Sequence, residues 1–166
     1  WVVMKFGGTS VSSVECWGTI CSQAEKYVRE GKRVLIVVSA LSGMTNLLTR
    51  LAEGVGRQDK VSIQAEIDQR HRGLFDLAGL EPGSRFLTHW ESLLEIIAMA
   101  GPRLGDQDRA TLLGHGELLS SSLGINVAKS GVFSLRLGLP AGYDVESLSG
   151  PDVSHWDEVS ERSGVD

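Results

Sequence analysis

The chain has 166 residues, a formal net charge of −5 and an apolar content of 42%, which are ordinary values for one globular domain with a sizeable core. It lacks a basic stripe, an apolar run of the roughly 20 residues that span a bilayer, and a signal-peptide core, which argues against nucleic-acid binding, membrane insertion and secretion. Helical spacing directs its two cysteines, Cys16 and Cys21, to different faces. We therefore expect no disulfide and a cytoplasmic protein.

The first predicted unit is a strand, a helix and a second strand. Val2–Phe6 is a short apolar run that ends at two glycines, and residues 13–30 carry apolar side chains at helical spacing behind a serine N-cap, Ser12 or Ser13. Residues 33–38 form an apolar, mostly β-branched run after Arg33, which is typical of a parallel strand covered by helices on both faces. The pattern predicts a βαβ unit.

The remainder of the chain is predicted to be mainly helical. Four segments have helical periodicity and one later segment is strand-like: 45–55, 59–78, 84–100, 108–129 and then 132–137. No structure is predicted for the turn-rich, acidic tail from Pro140 onward. The architecture is α/β with a parallel sheet and an inserted helical block. Ligands of such sheets bind beyond the carboxyl ends of the strands, where residues 7–10 and 39–43 form two small-residue loops.

Residues 5–10, with the sequence KFGGTS, combine a cation, two glycines and two hydroxyls at a strand end. Glycine lets backbone amides approach an anion, the following helix presents its positive N-terminus, and Lys5 supplies the charge that phosphoryl transfer needs. The lysine precedes the glycines, so this is not a P-loop, and no third glycine completes a dinucleotide-binding fingerprint. On these residues alone, a phosphate-binding loop and a tight turn with an incidental lysine both remain open.

The second loop carries a weaker signal by itself. Residues 39–43 again offer amides and hydroxyls between a strand and a helix. Ser42 or Thr45 as an ordinary helix cap explains the same residues more simply, because capping is the commoner use of serine and threonine there.

A third candidate segment lies inside the last predicted helix. Gly114 and Gly116 each cost about 1 kcal/mol there relative to alanine, which indicates the close approach of a ligand or of another backbone. Glu117 is suited to accept a hydrogen bond from an ammonium group, although a solvated carboxylate is the commoner case. His115 is expected to be structural. No Cys/His cluster has the spacing of metal ligands.

Three segments together closely resemble the aspartate kinases. Residues 3–11 (VMKFGGTSV) resemble the opening signature of that family, and residues 37–48 and 116–120 resemble two further motifs in the same order. The resemblance extends over residues 2–137 and implies the amino acid kinase fold, a three-layer α/β/α sandwich with a mainly parallel sheet. It implies phosphorylation of the β-carboxylate of L-aspartate by ATP with Mg²⁺, the first step toward lysine, threonine and methionine.

The resemblance also implies roles for matching positions. Lys5 would be catalytic, stabilising charge on the transferred γ-phosphoryl group, and Glu117 would face the α-ammonium of aspartate. The residues implied to bind the nucleotide are Lys5, Phe6, Gly7, Gly8, Thr9 and Ser10. Those implied to bind aspartate are Ser39, Thr45 and Glu117. No residue is implied to bind a metal directly.

Several elements that lie further along the chain in that family are not found in this sequence: the arginine for the substrate carboxylate, a second glycine-rich segment, the nucleotide-base pocket and the regulatory ACT domains. Residues 1–166 are therefore predicted to be the N-terminal portion of a kinase domain, with half a site and little activity alone. Another amino acid kinase, acting on glutamate, carbamate or a nucleoside monophosphate, and a non-catalytic anion- or amino-acid-binding module remain alternatives. The full-length protein is expected to be a homo-oligomer.

Overall fold

The computed structural model describes residues 1–99 and 104–130 and contains the predicted βαβ unit. Strands β1 (Val2–Phe6) and β2 (Val34–Val38) pair in parallel and in register along their whole length. Helix α1 (Val14–Arg29) connects them, after a short 3-10 helix that follows β1. The prediction of a parallel strand pair joined by a helix is confirmed.

The predicted helical block is also present. All four helices lie within a few residues of their predicted bounds: α2 Met44–Ala52, α3 Arg57–Ala78, α4 Ser84–Met99 and α5 Asp106–Lys129. The predicted strand 132–137 and the tail 138–166 lie outside the described residues. Within the part of the chain that the structure describes, no helix is long and apolar enough to cross a membrane.

The two helices that follow the strands begin in different ways. Ser13 is the N-cap of α1, because its hydroxyl accepts a hydrogen bond from the Cys16 amide at 3.2 Å. Helix α2 has Gly43 at its N-cap in the left-handed conformation, at a φ of 77°, without a side-chain cap. The prediction that Ser42 or Thr45 caps α2 is therefore wrong. A left-handed glycine turns the chain into this helix instead.

Side chains from every helix fill one core between the helices and the sheet. Trp17 of α1 is buried against α5, and its indole Nε1 donates to the Val11 carbonyl oxygen at 2.9 Å. Other fully buried side chains include Ile20, Met44, Leu48, Leu51, Ile63, Ile67, Phe75, Leu93, Leu112, Leu119 and Leu123.

The sheet is covered less completely than predicted. Val3 is 64% exposed and Val37 is 40% exposed. Both share a face with Lys5, because Lys5 pairs with Val37 and strand side chains alternate between faces. The described residues contribute only two strands and leave this face open. The prediction that helices cover both faces of β2 is therefore not met within the described residues.

His71 makes the helical block sensitive to acid. Its ring is fully buried on α3, its Nδ1 lies 2.8 Å from the Ile67 carbonyl oxygen, and its Nε2 has no hydrogen-bond partner among the residues that the structure describes. A carbonyl only accepts, so Nδ1 carries the proton. The Phe86 ring packs beside it at 5.5 Å. Burial lowers the pKa of His71 below its usual 6.5, more than the hydrogen bond to Ile67 and the charge of Asp68 raise it.

We expect the free energy of unfolding to fall as the pH drops below about 6.5. Below about pH 6.5, His71 of the unfolded chain binds a proton, whereas the buried ring of the folded chain stays neutral until a lower pH. Protonation therefore favours the unfolded state first, so the stability of the fold is complete above about pH 6.5 and declines below it. Urea denaturation from about pH 7.5 to pH 5 should show the decline. His71→Leu should flatten it, leaving a smaller slope from His89, whose pKa burial also lowers. An equally steep decline in the variant would contradict this assignment.

Candidate functional site

The two small-residue loops lie side by side at the carboxyl ends of the parallel strands. The Ser39 amide donates to the Phe6 carbonyl oxygen at 3.0 Å, which extends the strand ladder beyond β2. Lys5 is exposed near the end of β1, opposite Val37. Among the described residues it forms no ion pair. Its ammonium group is therefore open to an external anion.

The two adjacent glycines of the first loop have different environments. A Cβ at Gly7 would meet no atom of residues 1–99 and 104–130 within 4 Å, so this glycine faces away from the described part of the chain. A Cβ at Gly8 would lie 2.7 Å from the Ala40 carbonyl oxygen and 3.2 Å from the Ser42 nitrogen. Gly8 is thus required by the contact between the loops, and Gly7 is the position where an anion has room to approach the backbone.

The first loop continues into the 3-10 helix Gly8–Val11. Within this turn, the Ser10 amide donates to the Gly7 carbonyl oxygen at 2.9 Å, so the Ser10 amide is already in use. Thr9 is exposed and Ser10 is half-buried. The two hydroxyls are therefore available to a ligand, whereas the Ser10 amide is not.

Sequence reasoning missed two residues that hold the second loop. The Ser12 hydroxyl donates to the Gly8 carbonyl oxygen at 2.5 Å and accepts from the Ser42 amide at 2.9 Å. On the other side of the loop, the Arg70 guanidinium donates to the Ser42 carbonyl oxygen at 2.8 Å and pairs with Glu66 at 2.6 Å. Nothing in the sequence pairs these positions, because the contacts span 30 and 28 residues.

Helix α5 brings Glu117 to the second loop. The exposed carboxylate Oε1 lies 3.4 Å from the Ala40 amide, which donates to it. This approach depends on Gly116, where a Cβ would lie 2.8 Å from the Ala40 Cβ and 3.3 Å from Leu48. The helix glycines predicted the close approach of a ligand or of another backbone, and at Gly116 a close approach is present but is made by side chains. At Gly114 a Cβ would meet no atom of the described residues within 4 Å, so no described segment approaches it, and the approach of a ligand there stays a prediction.

The remaining predicted residues occupy the rim of the same region or support it. Ser39 is half-buried just after β2, and Thr45 is exposed in the first turn of α2. His115 is buried, with Nδ1 2.8 Å from the Thr111 carbonyl oxygen and Nε2 3.2 Å from the Ser92 hydroxyl. Its predicted structural role is confirmed.

The site offers anion-binding groups but no metal cage. In residues 1–99 and 104–130, no three His, Cys, Asp or Glu side chains lie close enough to hold a metal ion. Lys5 and the open backbone at Gly7 suit a phosphate, and the Glu117 carboxylate suits a cation such as an ammonium group.

Comparison with known proteins shows which family this chain is similar to. The model of the amino acid kinase family matches residues 1–133. Lysine-sensitive aspartokinase 3 of Escherichia coli is 35% identical over 136 residues, which cover 77% of this chain and 28% of that protein. A chloroplastic bifunctional aspartokinase/homoserine dehydrogenase of Daucus carota is 31% identical over 134 residues, 74% of this chain and 14% of the relative.

Solved structures give the same result for the fold. Escherichia coli aspartokinase III in complex with aspartate and ADP superimposes with a TM-score of 0.65 at 26% identity, over 76% of this chain and 28% of the other. The same enzyme in complex with lysine and aspartate gives a TM-score of 0.62 at 25% identity, over 77% and 28%. The predicted fold class is confirmed. The chain spans between about a seventh and a little over a quarter of the length of the relatives described above.

Proposed function

Because the chain belongs to the amino acid kinase family, we propose that it forms the N-terminal part of an aspartate kinase catalytic domain. This enzyme would transfer the γ-phosphoryl group of ATP to the β-carboxylate of L-aspartate. The observation that carries the proposal is that three segments lie together at the carboxyl ends of β1 and β2: Lys5 with the first loop, loop 39–43, and Glu117 of α5. Similarity to aspartokinases solved with aspartate and ADP supports this choice of substrates.

Lys5 and the first loop would act on the phosphates. An aspartate carboxylate oxygen attacks the γ-phosphorus, a new P–O bond forms, and the bond to the leaving ADP oxygen breaks. Little covalent chemistry is left to the protein, so its contribution is charge stabilisation and positioning. The Lys5 ammonium would stabilise charge on the transferred group, with Phe6, Gly7, Gly8, Thr9 and Ser10 around the phosphates. Mg²⁺ bound to the phosphates would neutralise part of their charge.

The second loop and α5 would hold the acceptor. Glu117 would pair with the α-ammonium of aspartate, and Ser39 and Thr45 would offer hydroxyls to its remaining polar atoms. A long hydrogen bond from Ala40, at 3.4 Å, keeps the exposed Glu117 carboxylate beside the loop that carries Ser39. A binding group tied to the backbone loses less entropy when the substrate arrives than a free side chain does.

The test is an acyl-phosphate trap. The full-length protein that contains this chain is incubated with Mg-ATP and L-aspartate, and the product is captured as a hydroxamate with hydroxylamine. We expect hydroxamate with aspartate and none with glutamate, and no phosphorylation of carbamate or a nucleoside monophosphate in a coupled ADP assay. Activity only with another acceptor would assign a different amino acid kinase. Ligand binding that survives Lys5→Ala, without turnover on any acceptor, would indicate a non-catalytic module.

The 166-residue chain provides the second arm of this experiment. Residues 1–166 are proposed to hold half of the site, so the chain alone should form little or no hydroxamate. Turnover by the chain alone, at the rate of the full-length protein, would contradict this division. Cytoplasmic location and assembly into homo-oligomers are further parts of the proposal, tested by cell fractionation and by light scattering.

A further inference from the structure

The peptide unit at Ser42 is held from both sides by residues outside the loop that carries it. Its amide donates to the Ser12 hydroxyl at 2.9 Å, and its carbonyl oxygen accepts from the Arg70 guanidinium at 2.8 Å. We propose that Ser12 and Arg70 are positioning residues that lock loop 39–43 against the first loop (residues 7–10, called the glycine loop below), so that the two proposed substrate-binding loops keep one relative arrangement. This inference rests on the proposed function.

Ser12 joins the two loops directly. Its hydroxyl donates to the Gly8 carbonyl oxygen while it accepts from the Ser42 amide, so one side chain uses both its donor and its acceptor. The absence of a Cβ at Gly8 lets the Ala40 carbonyl oxygen come close enough for this link to form. The neighbouring Ser13 performs a different task, capping α1 through the Cys16 amide.

Arg70 holds the loop from the opposite side. Its Nη1 reaches Ser42, and its Nη2 is fixed by Glu66 one helical turn earlier, so the guanidinium arrives preorganised. The same Nη1 lies 3.2 Å from the place where a Cβ at Gly43 would be, so the guanidinium packs over the left-handed turn into α2. Arg72, two residues along the same helix, pairs only with Asp68 in the contacts described and serves as a comparison.

The consequence for catalysis follows from the placement of the two substrates. The glycine loop is proposed to hold the phosphates, and loop 39–43 to hold aspartate. A loosened link would leave each binding group intact but widen the distribution of distances between the attacking oxygen and the phosphorus. Misplacement of reacting atoms lowers kcat, whereas loss of a binding contact raises KM. Positioning residues should therefore affect mainly kcat.

The experiment compares neighbouring residues in the full-length enzyme. Ser12→Ala and Arg70→Gln are each expected to lower kcat for hydroxamate formation about tenfold while changing either KM less than about threefold. Ser12→Thr, which keeps the hydroxyl, should restore most of the rate. The controls Ser13→Ala and Arg72→Gln remove a helix cap and a surface ion pair, and they should leave kcat within about twofold.

A second measurement does not depend on activity. In the 166-residue chain, amide hydrogen exchange at Ser42 should become about five- to tenfold faster in Ser12→Ala than in Ser13→Ala, the size expected for one lost hydrogen bond. Unchanged exchange at Ser42 would overturn the link. Faster exchange with an unchanged kcat would overturn its positioning role. A wild-type enzyme that is inactive on every acceptor would overturn the proposed function instead, and exchange would then decide whether the link exists.

Discussion

Lys5→Ala is expected to lower kcat/KM for aspartate phosphorylation by about 10²- to 10³-fold in the full-length enzyme, the usual cost of removing one preorganised group that stabilises charge in a transition state. Lys5 is exposed at the end of β1, beside the open backbone of Gly7, and it forms no ion pair among the described residues. Its ammonium group therefore neutralises no carboxylate of residues 1–99 and 104–130. Most of the loss should appear in kcat, because the charge develops on the transferring group.

The control is Lys26→Ala, which removes an exposed lysine from the last turn of α1 and should leave kcat unchanged. Both variants should unfold at nearly the wild-type urea concentration, because surface substitutions of this kind change stability little. Steady-state kinetics with the hydroxamate assay measures the effect. A Lys5→Ala enzyme with a normal kcat and a raised KM for ATP alone would assign Lys5 to ground-state binding and contradict the catalytic role.

The fold was largely predictable because its signals are local. An apolar run ending at two glycines predicts β1, and apolar residues at helical spacing behind Ser13 predict α1 within a residue or two. The coverage of β2 was not predictable, because β-branched residues indicate burial without telling which segment supplies the cover. The start of α2 was assigned to the wrong cap for a related reason. Ser42 is a good capping residue by type, but both polar groups of its backbone are engaged by distant side chains.

Some features of the candidate site were likewise predictable from the sequence, and others were not. The carboxyl ends of two parallel strands meet by topology, so the convergence of residues 7–10 and 39–43 followed from the sequence pattern. Gly116 was detected because a glycine inside a helix needs a reason, and Ala40 is that reason. Arg70 gave no such signal, because its pair with Glu66 is what any solvated helix shows. Its second bond, to Ser42, depends on a contact between helix and loop that sequence spacing does not encode.

Gly124→Ala is expected to destabilise the protein, although alanine favours helices. Gly124 is buried on α5 against the ring of Trp17, where a Cβ would lie 2.5 Å from Cζ3 and closer still to Cη2. The indole is rigid and buried, and its hydrogen bond to the Val11 carbonyl oxygen fixes its position. Overpacking of this kind costs about 1 to 3 kcal/mol, which outweighs the roughly 1 kcal/mol that alanine contributes by helix propensity.

Gly114→Ala is the matched control on the same helix. A Cβ there would meet nothing within 4 Å, so only the helix propensity changes, and the free energy of unfolding should rise by up to about 1 kcal/mol. Urea denaturation of the 166-residue chain and both variants measures the two effects with opposite signs. If Gly124→Ala stabilised the chain as much as Gly114→Ala, the Trp17 ring would not be held against α5. The double variant Gly124→Ala with Trp17→Phe tests this contact directly, because a smaller ring should relieve part of the overlap and recover part of the lost stability.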